Sequence, residues 1–112
     1  MRMHAGIEHF AMPDEDAVSA AAESLRLLAD PTRIKILWAL AQGESNVSCL
    51  AELAGASQPA TSQHLAKLRL AGLVTASREG GFVYYELARP ETRRLLAQAL
   101  GMPVPKPLVG HR

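Results

Sequence analysis

Residues 47–87 read VSCLAELAGASQPATSQHLAKLRLAGLVTASREGGFVYYEL. A short apolar helix, about Val47 to Ala54, stops at Gly55, a residue able to take the left-handed backbone that ends helices. Ser57 can cap the free N–H groups of a second helix, and Pro59 suits its first turn, where no N–H is needed. Thr61, Leu65 and Leu68 share the face expected to bury, while Pro59, Ser62, Gln63, Ala66 and Lys67 point away. Gly72 ends this helix and Leu73-Val74 returns the chain to the core. Val74–Arg78 and Phe82–Leu87 are strand-like, joined across Glu79-Gly80-Gly81, where glycine supplies the positive φ of a tight hairpin. Val83, Tyr85 and Leu87 alternate onto one face. Helix, turn, helix and hairpin in this order predict a helix-turn-helix followed by a wing.

Outward from this block the chain stays helical. Val18, Ala21, Ala22, Leu25 and Leu28 recur at spacings of three and four, predicting a first helix over about Glu15 to Leu28. Asp30 can cap a second helix with Pro31 in its first turn, and Ile34, Leu37, Trp38 and Ala41 are its expected inner face. Gln42-Gly43 ends it. After Pro90 a last helix, about Glu91 to Leu100, carries Leu95, Leu96, Ala99 and Leu100. The predicted division is a flexible N-terminal arm (1–14), a winged helix-turn-helix and dimerisation domain (15–100), and a Pro-rich tail (101–112). The fold class is mainly α with a small β-hairpin.

Net charge is only +1, but its distribution is uneven. Residues 1–30 hold Arg2 and Arg26 against Glu8, Asp14, Glu15, Asp16, Glu23 and Asp30. Between Glu52 and Glu79 there is no acid, while Lys67, Arg69, Arg78 and His64 lie there. Local charge, not the sum, decides where a phosphate backbone can sit. The single cysteine, Cys49, excludes an internal disulfide, and it reads as a small core hydrophobe on a short helix. No apolar run is long enough to span a membrane and no signal peptide is evident, so a cytoplasmic location is expected.

DNA reading by a helix pair needs polar, outward residues at the start of the second helix. Gln58, Ser62 and Gln63 meet this: glutamine can pair bidentately with adenine, and serine can bond a base or a phosphate. Ser57 marks the helix N-terminus, which attracts phosphate through its free N–H groups. Lys67, Arg69 and Arg78 can hold the backbone and fix register. His64, on the flank of the buried face, reads as a packed or phosphate-bonding residue. The same residues also suit an ordinary solvated surface helix, and a winged helix can instead serve as a protein-interaction module. An enzyme is not indicated: there is no nucleophile elbow, glycine-rich phosphate loop or metal triad.

LADPTRIKIL (28–37), ATSQHLAKLRLAGLV (60–74) and REGGFVYYEL (78–87) together resemble the ArsR/SmtB family of bacterial repressors, over roughly Ala22 to Leu100. The resemblance implies a homodimer joined through its first and last helices, with Val18, Ala22, Leu25, Leu95, Leu96 and Ala99 at the interface. It implies repression from an imperfect palindrome in double-stranded operator DNA and release by an inducer, commonly a metal ion, otherwise a redox or organic species. Gln58, Pro59, Ser62 and Gln63 match the family's reading positions, and Arg78–Gly81, with Gly80 inside it, matches its wing tip.

The family's sensing sites do not carry over. Its third-helix Cys-Val-Cys-Asp pattern is Asn46-Val47-Ser48-Cys49 here. Its last-helix ligands are replaced by Arg89-Pro90-Glu91 at the start and Gly101-Met102-Pro103-Val104 at the end. His4, His9, Glu91 and His111 remain as candidate ligands for a nickel, cobalt or zinc inducer, with neutral imidazole and carboxylate suited to such ions. Their other reading is as solvated residues of arm and tail. No cofactor is otherwise implied.

Overall fold

The computed structural model describes residues 7–107 of the chain. Five helices and one hairpin follow in the order α1 (Glu15–Leu28), α2 (Pro31–Ala41), α3 (Val47–Ala54), α4 (Gln58–Leu70), β1 (Val74–Glu79), β2 (Phe82–Leu87) and α5 (Pro90–Leu100). The arm, predicted to lack regular structure, forms one 3-10 turn at Ile7–His9. Residues 102–107 of the tail are non-helical, as three prolines dictate.

Four helix starts are capped by a side chain accepting from the backbone three residues on. Asp30 accepts from the Arg33 N–H at 2.9 Å and Ser57 from Ala60 at 3.1 Å, as the sequence predicts. Asp14 and Asn46 do the same for Ala17 and Cys49. Gly55 closes α3 at φ 66°, and the following Ala56 N–H donates back to the Ala51 carbonyl at 2.9 Å. This paired closure satisfies carbonyls that would otherwise lack donors, and it makes the turn into α4 short.

Ile36, Leu37, Leu40, Leu50, Leu65, Leu68 and Val74 are fully buried and, with Ala54, Leu73 and Leu96, form one core. The inner face of α2 differs from expectation. Ile36 and Leu40 join Leu37 and Ala41 inside, while Ile34 and Trp38 are half-buried at the margin. The helix is apolar nearly all round, so period alone did not select the face that α3 and α5 cover.

β1 and β2 pair antiparallel in full register from Val74↔Leu87 to Glu79↔Phe82. Glu79 is therefore the last strand residue, and the turn is Gly80-Gly81 alone, at φ 58° and 86°. Two consecutive positive φ values are the primed geometry that fits the strand twist. Ser45 lies along the other edge of β2: its N–H donates to the Tyr85 carbonyl at 3.0 Å and its carbonyl accepts from Tyr85 at 2.7 Å. The link between α2 and α3 thus anchors the hairpin to the helices.

α1 stands apart. None of its residues is buried, and only Leu27 and Leu28 are even half-covered. The radius of gyration is 17.3 Å, against roughly 13 Å for a compact domain of about this length. Its apolar stripe, Val18 and Leu25 included, faces solvent in the single chain.

Candidate nucleic-acid interface

The start of α4 is exposed through Gln58, Pro59, Ser62, Gln63, Ala66 and Lys67, and its opposite face buries Thr61, Leu65 and Leu68, as the spacing predicts. Ser57 Oγ is occupied by its capping bond, which leaves its O–H free to donate. β2 lies beside the outward side of α4: Ser62, Ala66, Arg69, Leu70 and Tyr85 line one shallow hollow between them. Arg78 pairs with Val83 in the register, so both project from the sheet face that carries Tyr85. Lys67, Arg69, Arg78 and the Gly80-Gly81 tip are all exposed. The helix start and the basic residues of its last turn carry no acid, and Arg78 adds a further cation on the wing, which also bears Glu79 and Glu86. This surface can accept phosphates at the lysine and arginines and base edges at the glutamines.

His64 departs from this set. It is half-buried and its Nδ1 lies 3.4 Å from Arg33 Nη1 of α2. Arg33 also donates from Nε to the Leu27 carbonyl at 2.7 Å, and its backbone N–H bonds Asp30 Oδ2. The Asp30 carboxyl is held below its ordinary range, first by that backbone bond and then, against a desolvation cost, by the nearby charge of Arg33. His64 thus points into a network behind the reading face rather than outward from it. Sequence reasoning missed Arg33, although one signal was present. Four residues after Leu27 comes Pro31, which has no N–H, so the Leu27 carbonyl needs another donor.

The predicted interface residues divide. Val18, Ala22, Leu25, Leu95 and Ala99 are exposed. Leu96 is only 3% exposed in the single chain and packs in its core. An apolar cleft runs between α1 and α5, and Leu25, Leu28, Ile34, Leu95, Leu96 and Leu100 are among its lining.

Cys49 is exposed, not part of the core. One position along a helix is a rotation of about 100°, so with Leu50, Ala51 and Ala54 inward Cys49 turns out, beside Asn46, Glu52, Leu53 and Tyr84. Among the described residues no three His, Cys, Asp or Glu side chains come together in a way that could hold a metal ion. His9 Nε2 lies 4.0 Å from Glu8 Oε2, and Glu91 is exposed in the first turn of α5. His4 and His111 lie outside the described residues. The described donors do not make a metal site. Among the same residues, no helix is long and apolar enough to cross a membrane.

Comparison with known proteins agrees with this geometry. Residues 30–76 match the family model described as bacterial regulatory protein, arsR family. The chain is 45% identical over 89 residues to the HTH-type transcriptional regulator KmtR of Mycobacterium tuberculosis, covering 80% of this chain and 68% of that one. It is 38% identical over 90 residues to the HTH-type transcriptional repressor SmtB of the same organism, covering 80% and 67%. Among solved structures, the homodimeric winged helix-turn-helix DNA-binding domain of Mb0332 from Mycobacterium bovis superposes with a TM-score of 0.70 at 34% identity, covering 81% of this chain and 86% of that one.

Proposed function

Because the chain belongs to the ArsR family of bacterial regulatory proteins and is a winged helix-turn-helix regulator of transcription, we propose that it represses transcription as a homodimer seated on a palindromic operator, and leaves when an inducer binds. The observation that carries this reading is the exposed, acid-free start of α4, with Gln58, Ser62 and Gln63 outward and the Arg78 wing beside it. Base edges would be read by the glutamines and Ser62, while Ser57, Lys67, Arg69 and Arg78 would grip phosphates. Two such helices related by a dyad would enter successive major grooves, which is why the operator would be palindromic. The uncovered stripe of α1 and the exposed Leu95, Ala99 and Leu100 of α5 supply the surface for that dyad.

Fluorescence anisotropy with duplex DNA from upstream of the protein's own gene tests the proposal. Tighter binding than to random duplex, weakening steeply with salt as counterions return, is the expected result. Equal affinity for both duplexes at moderate salt would sink the sequence-specific reading. Nickel, cobalt or zinc added to the complex tests the inducer. Release by an ion would direct mutagenesis to His4, His9, Glu91 and His111, and indifference to all three would assign release to a redox or organic inducer.

A further inference from the structure

We infer that Arg33 is a positioning residue for DNA reading, holding α4 in its reading orientation through His64. The inference rests on the DNA-binding reading above and adds a residue that lies behind the contact surface. Arg33 ties three elements with one side chain and its own backbone. Nε completes the end of α1 at the Leu27 carbonyl, which Pro31 leaves without a helical donor. The backbone N–H fixes the start of α2 on Asp30. Nη1 meets His64 Nδ1 in the middle of α4. A guanidinium is a rigid planar fork, so fixing Nε on one acceptor fixes where Nη1 points, and with it the imidazole it meets.

His64 follows directly on Gln63 and is two residues from Ser62. Each residue advances the helix by about 100°, so a small roll of α4 at His64 would turn both reading side chains away from the groove. Arg33 Nη1 can only donate, so Nδ1 is the accepting side of this contact. The ring is half-buried and engaged from behind, which separates this role from a phosphate contact.

The test uses the full chain and anisotropy on the upstream duplex and on random duplex at one salt concentration. Arg33→Met removes the donors and keeps the stem, and His64→Leu removes the acceptor and keeps the bulk. Each is expected to lower the preference for the upstream duplex about tenfold, the loss of roughly one charge-assisted hydrogen bond. The double variant is expected to be no worse than either single one, because both remove the same contact. His64→Asn places a carbonyl oxygen near the position of Nδ1 and should recover part of what His64→Leu loses. Arg33→Lys keeps charge and packing without the fork and should still lose preference, so a poorly folding Arg33→Met would not decide the matter. Additive losses, affinity lost equally for both duplexes, or preference unchanged in Arg33→Lys would overturn the inference. A wild-type protein without any preference would instead remove the DNA-reading proposal itself, and this one with it.

Discussion

Asp30 shows how one side chain serves two levels of the structure. Its carboxylate caps α2 and lies close to the Arg33 charge. Asp30→Ala should cost about 1 kcal/mol, the usual worth of an N-cap. The Asp30 carboxyl is held low in the folded chain, so the folded protein binds its proton only at lower pH than the unfolded one. The stabilisation is complete above the ordinary carboxylate range and is lost as pH falls through the lowered value. Denaturant unfolding of both proteins across this range should show the Asp30→Ala deficit at neutral pH and its shrinkage in acid. A deficit independent of pH would assign it to backbone propensity alone. Thr61 makes the opposite case. Its hydroxyl is fully buried in α4 and has no hydrogen-bond partner among the described residues. Thr61→Val keeps the shape and removes the orphaned polar group, so it should raise stability by about 1 kcal/mol. A less stable valine variant would mean that the hydroxyl has a partner in solution.

At the scale of elements, α4 and the wing would divide the work of binding in the proposed complex, and their variants should differ in kind. Gln63→Ala is expected to reduce discrimination between operator and random DNA more than overall affinity, since base edges carry sequence and phosphates do not. Arg78→Ala should weaken both duplexes alike and flatten the salt dependence by roughly one charge. Parallel anisotropy titrations at two salt concentrations read both effects, and a reversed pattern would exchange the roles of helix and wing. The two-residue turn Gly80-Gly81 closes the hairpin two residues beyond Arg78, and Ser45 holds the far edge of β2.

The whole molecule leaves its first helix uncovered. A 14-residue helix with an apolar stripe and no buried residue is a poor end state for a single chain. In the proposed dimer a second copy would cover it together with the exposed residues of α5, and here Leu95 and Leu96 part company. Leu95→Glu should shift the protein from dimer to folded monomer, visible by sedimentation with the helical signal retained. Leu96→Ala should instead destabilise the fold by about 2–5 kcal/mol, the range for a buried leucine, because Leu96 fills the core beneath α2. A Leu95→Glu protein that remains dimeric would take this helix out of the interface.

Much of this chain can be read from local chemistry. The limits of α1 and α3, the caps Asp30 and Ser57, the double-glycine hairpin and the outward polar positions of α4 follow from periodicity, capping and turn geometry, all of which act over a few residues. Properties that depend on which neighbour covers a surface did not follow. α2 is apolar on nearly every side, so only packing decided that Ile36 and Leu40 face in and Trp38 sits at the margin. Cys49 was placed by the rotation of a short helix whose burial α2 and α4 determine. Leu95 and Leu96 are adjacent leucines, and only the tertiary structure sends one to solvent and the other to the core. The Arg33–His64 contact joins residues 31 positions apart. Hydrophobic periodicity and capping are written within a turn or two of helix, whereas a long-range polar contact exists only once the core has brought its helices together.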